Sequence, residues 1–153
     1  MNQEMLKKKQ QRLSKKAVLI VNSDLINTRV FSKFILKYGG ENNFSIKASE
    51  NTEEILLLAA SGNIDVILMG IVLPNSIYQE KPTDGLTITQ LLKSEPKTAS
   101  IPVLLTSAYG KDKRESFLAS SGADAYISLP ITDRQAFVEI VTRYAFLEPE
   151  VSE

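Results

Sequence analysis

Apolar and polar positions alternate in blocks along this chain, and the blocks change period at regular intervals. Residues 17–22, AVLIVN, form a continuous β-branched run of the kind a strand buried on both faces shows. Ser23 or Asp24 then offers an N-cap to a helix reaching about Tyr38, with Ile26, Val30, Phe31, Phe34, Ile35 and Tyr38 as its apolar stripe. Gly39-Gly40 ends it, and a short strand is expected at Phe44–Ala48. Asn51-Thr-Glu-Glu54 has capping-box spacing and opens a helix running to Gly62. DVILM at Asp65–Met69 is a second buried strand, and the proline-bearing stretch 71–83 is predicted as loop. A helix from about Asp84 to Ser94 cannot extend past Pro96.

The same alternation continues through the second half. Ile101–Thr106 reads as a strand, and 111–121 as a polar helix with Phe117 and Leu118 inward, closed by Gly122. Asp124–Ser128 is a last short strand, and Thr132-Asp-Arg-Gln135 repeats the capping-box spacing before a helix to about Leu147. Five strands alternating with helices call for an α/β, doubly wound parallel sheet covered on both faces, with any site at the carboxyl ends of the strands. The division expected is a basic extension over 1–16, a domain over 17–147 and an acidic tail over 148–153.

Composition narrows the chemistry sharply. The 153 residues contain no cysteine and no histidine, which removes disulfides, thiolate nucleophiles, Cys/His zinc sites, Ser-His-Asp triads and any phosphohistidine role. Catalysis would have to run on carboxylates, hydroxyls and amines. Eighteen basic and eighteen acidic residues cancel, so neither a nucleic-acid surface nor an acidic mimic of one is indicated. No apolar run approaches a membrane span, and a cytoplasmic location is expected by default.

Five segments in order, AVLIVNSD, DVILMGIVLP, DGLTITQLLK, IPVLLTSA and GADAYISLPI, resemble the receiver domains of bacterial two-component response regulators over roughly residues 16–147. The resemblance implies a flavodoxin-like five-stranded sheet in the order 2-1-3-4-5. It also implies a set of roles. An aspartate ending the third strand accepts a phosphoryl group, and two acidic residues after the first strand help hold Mg²⁺. A lysine after the fifth strand pairs with the phosphate, and a Ser or Thr after the fourth strand hydrogen-bonds it. An aromatic on the fifth strand responds.

Here the chain departs from that pattern. Asn22 and Ser23 stand at the acidic pair, Gly70 at the acceptor and Leu129 at the lysine; only Ser107 and Tyr126 match the switch pair, with Asp24 as one acidic neighbour. Gly70 offers no nucleophile, Asn22 and Ser23 are poor ligands for a hard dication, and Leu129 cannot pair with phosphate. The expectation is a degenerate receiver with no catalytic residue, metal site or cofactor. Asp24 reads as a helix cap before it reads as a metal ligand. Asp84 is the plausible surrogate acceptor; Asp65 and Asp124 begin their strands, at the wrong edge of the sheet.

Partner surfaces are drawn from exposed candidates. Ile77 and Tyr78 stand in the long 71–83 segment, which is either a contact loop or an insertion. Lys111, Arg114, Tyr126, Val138 and Phe146 mark the last two helices, the face on which receivers usually dock. The basic residues Lys7–Lys9, Arg12, Lys15 and Lys16 read as a solvated tail. The leading reading is a regulatory protein–protein interaction module, acting on another signalling protein, with a homodimer possible. Two others stay open: a phosphorelay receiver using Asp84, and a small-ligand sensor using the pocket bounded by Gly70, Ser107 and Leu129.

Overall fold

The computed structural model describes Gln3 and residues 15–147; the basic run up to Arg12 and the acidic residues after 147 lie outside the described residues. The chain runs β1 (Lys16–Val21), α1 (Leu25–Gly39), β2 (Phe44–Ala48), α2 (Thr52–Ala60) and β3 (Val66–Gly70). A small hairpin follows, β4 (Ile77–Tyr78) and β5 (Lys81–Pro82), then α3 (Gly85–Ser94) and β6 (Val103–Ser107). A 3-10 turn (Lys111–Lys113), α4 (Arg114–Ser121), β7 (Ala125–Ser128) and α5 (Arg134–Ala145) complete it. The main sheet has the order β2-β1-β3-β6-β7 with all pairs parallel, which is the expected flavodoxin-like topology.

The period-two alternation of the strands sorts the core into two layers. Leu19, Val21, Ile67, Met69, Val103 and Leu105 pack with Ile55, Ile88 and Leu92 beneath α2, α3 and α4. Val18, Ile20, Val66, Leu68 and Leu104 face Phe31, Ile35, Phe137 and Val141 of α1 and α5. The register places the carboxyl ends level, with Val21 opposite Met69 and Gly70 opposite Thr106.

Two aspartates explain themselves at the other edge. The Asp65 N–H donates to the Ala17 carbonyl while its carboxylate accepts the Ala17 N–H at 2.8 Å, and Asp124 forms the same ring with Val103. Each closes the start of a neighbouring strand. Lys93 Nζ adds a 2.8 Å ion pair to Asp124 and donates to the carbonyls of Ala99 and Ile101.

Several local expectations change. The 71–83 segment is not all loop: Ile77 pairs with Pro82 and Tyr78 with Lys81, around Gln79 and Glu80 at φ 51° and 68°. Left-handed residues at both turn positions match the twist of a two-residue hairpin, and Pro82 lies in an isolated two-stranded ribbon that leaves room for a missing donor. The helix expected over 111–121 becomes α only from Arg114. Asp133, rather than Thr132, caps α5, accepting the Ala136 N–H at 3.0 Å. Asn51 and Asp84 cap α2 and α3 by accepting from Glu54 and Thr87.

Candidate functional site

Three chain segments meet where β1, β3 and β6 end, and they enclose a pocket of about 300 Å³. Asn22, Ser23, Asp24 and Asn27 form one wall, at the turn into α1. Gly70, Ile71 and Val72 form the floor and second wall, and Thr106 to Tyr109 the third, with Leu129 closing the side. All six positions assigned to the degenerate site are therefore brought together. Asn27, Ile71, Val72, Thr106, Ala108 and Tyr109 were not anticipated; Asn27 had a signal, since it lies one helical turn beyond Ser23.

Asn22, Ser23 and Asp24 at the turn into α1 each bond the backbone through a side-chain oxygen. Asn22 Oδ1 accepts the Asp24 N–H at 2.8 Å, and Asp24 Oδ1 accepts the Ile26 N–H at 2.8 Å, so Asp24 is the N-cap. Ser23 Oγ reaches the Val72 carbonyl at 3.4 Å. Because Asn22 Oδ1 is the acceptor, its Nδ2 is the atom turned toward Gly70: it lies 3.5 Å from where a Cβ at position 70 would stand. The Val21 carbonyl is closer, at 3.0 Å from the same point. At the far side of the floor, Gly85 is pressed on Gly70; a Cβ on Gly85 would lie 1.9 Å from the Gly70 carbonyl oxygen.

Ser107 and Tyr126 both grip the loop that follows β6. Ser107 Oγ accepts the Tyr109 N–H at 3.0 Å, and Tyr126 Oη donates to the Gly110 carbonyl at 2.7 Å. The half-buried Tyr126 ring packs against Phe117, which Tyr109 meets edge-on from the other side. Leu129 is fastened to the same strand end through its N–H and the Ser107 carbonyl, ahead of a cis bond to Pro130.

The chain matches the family described as the response regulator receiver domain over residues 18–142. It belongs to that family. The receiver is similar to the polar-differentiation response regulator DivK of Brucella anthropi, at 33% identity over 84% of this chain and 95% of the relative. DivK of Brucella suis is 32% identical over the same shares. Among solved structures, a CheY-like receiver domain from Methanospirillum hungatei aligns at TM-score 0.67 and 20% identity, covering 86% of this chain and 94% of the other. The receiver domain of a sensor histidine kinase from Pseudomonas aeruginosa, with magnesium in its active-site cleft, aligns at TM-score 0.69 and 17% identity over 86% and 98%. The receiver fold and a place among signalling proteins follow.

Mg²⁺ is the ion such a site would hold, and the residues present do not fit it. Among the described residues no three carboxylate, imidazole or thiol side chains come together. Asp24 is the single carboxylate lining the pocket, and one of its oxygens caps α1. A hard dication needs more oxygen charge than this.

The remaining candidates separate into two places. Lys111, Arg114 and Tyr126 line a cleft of about 630 Å³ between α4 and α5, with Ile131, Phe137 and Ile140. Ile77 and Tyr78 lie on the hairpin, Ile77 exposed. Val138 does not belong to any surface: it is 4% exposed and packs in the α1–α5 layer. Its helical position turns it toward Gly39, where the chain's close approach to α5 covers it. Phe146 is half exposed, yet its ring rests edge-on against Phe44 and under Lys16, away from the α4–α5 cleft. No described helix is long and apolar enough to cross a membrane.

Proposed function

We propose that this receiver domain regulates without being phosphorylated, as a protein–protein interaction module. The observation that carries the reading is the floor of the pocket: at the acceptor position there is only the Gly70 backbone, with the Val21 carbonyl 3.0 Å from the place of the missing Cβ. Leu129 supplies no cation on the opposite wall. Phosphoryl transfer depends on positioned charge around the transferring oxygens, and this pocket has one carboxylate and no cation.

The use of Asp84 as a surrogate acceptor is the weaker reading. Its Oδ1 caps α3 by accepting the Thr87 N–H at 2.8 Å, and it does not line the pocket. The partner is another signalling protein, and the cleft between α4 and α5 is the surface we assign to it, with Lys111 and Arg114 offering positive charge beside apolar Ile131 and Ile140. The test is intact mass after incubation with acetyl phosphate and Mg²⁺, beside a conventional receiver that labels under the same conditions. No adduct is expected. A stoichiometric acid-labile adduct overturns the proposal, and its loss in Asp84→Asn would assign the surrogate.

A further inference from the structure

The pocket carries no cation and is lined by a residue whose hydroxyl has nothing to bind. Thr106 is 3% exposed and lines the pocket, and its Oγ1 makes no hydrogen bond among the described residues. A buried hydroxyl left without a partner is costly, so the site is short of one hydrogen-bonding group. Asn22 Nδ2 makes no hydrogen bond among the described residues, because the Asp24 N–H fixes Oδ1 as the acceptor and turns the amide nitrogen toward Gly70. Ser107 accepts from Tyr109 and still carries a proton to donate.

We propose that this pocket binds a small neutral ligand presenting a carboxamide or lactam edge on a flat apolar body. The pocket offers donors at Asn22 and Ser107, and Thr106 can both donate and accept. A ligand that satisfies them must accept and donate from one edge without carrying charge, which an amide does. Charge argues in the same direction. Asp24 is the only ionised lining group, so an anion would meet repulsion and no counter-charge. The other walls are Ile71, Val72 and Leu129, which suit an apolar ring, and a volume of about 300 Å³ accepts a single ring with its substituent. Val72 and Tyr109, 57% and 54% exposed, give the pocket apolar edges toward solvent. The ligand deepens the non-phosphorylating reading, since it occupies the space a phosphoryl group and its metal would need.

The experiment is a titration of the ¹⁵N-labelled full chain with benzamide, benzoate and benzamidine, three near-isosteres that differ in charge. Benzamide is expected to move the amide signals of Asn22, Gly70, Ser107 and Tyr109 saturably, while benzoate at equal concentration leaves them in place. Thr106→Val keeps the shape of the side chain and should raise the apparent Kd for benzamide about fivefold, with Thr106→Ser near the parent value. The proposal is overturned if benzamide gives no saturable shift, if benzoate binds as well, if only benzamidine binds, or if Thr106→Val binds unchanged. An acetyl-phosphate adduct in the mass measurement would instead overturn the non-phosphorylating reading, so the two failures are distinguishable.

Discussion

Restoring the missing aspartate alone tests how much of the site's chemistry resides in one residue. In Gly70→Asp the new Cβ stands 3.0 Å from the Val21 carbonyl oxygen, tighter than ordinary contact by a few tenths of an ångström. Val21 belongs to the strand paired with β3, so the relief must come from a small separation of the β1 and β3 ends. Mild overpacking of this kind costs about 1 kcal/mol. The carboxylate can take one hydrogen bond from Asn22 Nδ2, 3.5 Å from its Cβ, but finds Leu129 where a cation would be needed. Incomplete satisfaction of a partly buried carboxylate adds about 1–2 kcal/mol. Together the loss is about 2–3 kcal/mol, a fall in Tm of about 5–9 °C for a chain this size. Urea unfolding and calorimetry measure it. Acetyl phosphate with Mg²⁺ should still give no stoichiometric adduct, because the metal ligands and the counter-charge are absent. Adding Asn22→Asp, Ser23→Asp and Leu129→Lys together is expected to restore labelling. A Gly70→Asp protein as stable as the parent, or one that labels fully by itself, would refute this reasoning.

Two further perturbations probe the frame around the pocket. Gly85→Ala should cost about 3 kcal/mol in calorimetric unfolding despite the better helix propensity of alanine, because its Cβ would meet the Gly70 carbonyl oxygen at 1.9 Å and backbone must move. Tyr126→Phe removes the 2.7 Å bond to the Gly110 carbonyl; a loss of about 1 kcal/mol is expected in urea unfolding, with faster amide exchange over residues 109–113.

What could be read from the residues alone follows the physics of each signal. Strands such as AVLIV and VILM were legible because a strand buried on both faces has no polar member to confuse its period. Asn51 and Asp84 were legible as caps because capping is a local bond. Asp133 was not separated from Thr132, since both residue types cap and only the geometry of the preceding turn chooses. Val138 was misread because helical spacing identifies a stripe but not how far a neighbouring chain wraps round it; here the Gly39 end of α1 does so. The six motif-matched pocket positions came from aligned strand ends. Thr106 could not be found this way, because its importance lies in having no partner, and that is a property of the packed interior.

Loss of the charged residues leaves the fold intact for a structural reason. Most of both hydrophobic layers lies in the strands up to Met69 and Leu105, and of the pocket's lining Ile71 and Leu129 pack against them, so the polar positions of the site stand outside the core. Several carboxylates in such a pocket would repel one another without a cation, and neutral substitutions remove that repulsion. What persists is a pair of grips on one loop, Ser107 on Tyr109 and Tyr126 on Gly110. The loop leads directly to Lys111 and Arg114, which line the α4–α5 cleft together with Tyr126. An occupant that accepts the Ser107 Oγ proton bonds the same hydroxyl that holds the Tyr109 N–H, and can shift the loop only as far as it binds one arrangement better than the other. That shared hydroxyl would connect the pocket to the partner surface through hydrogen bonds already present, with no phosphoryl group required.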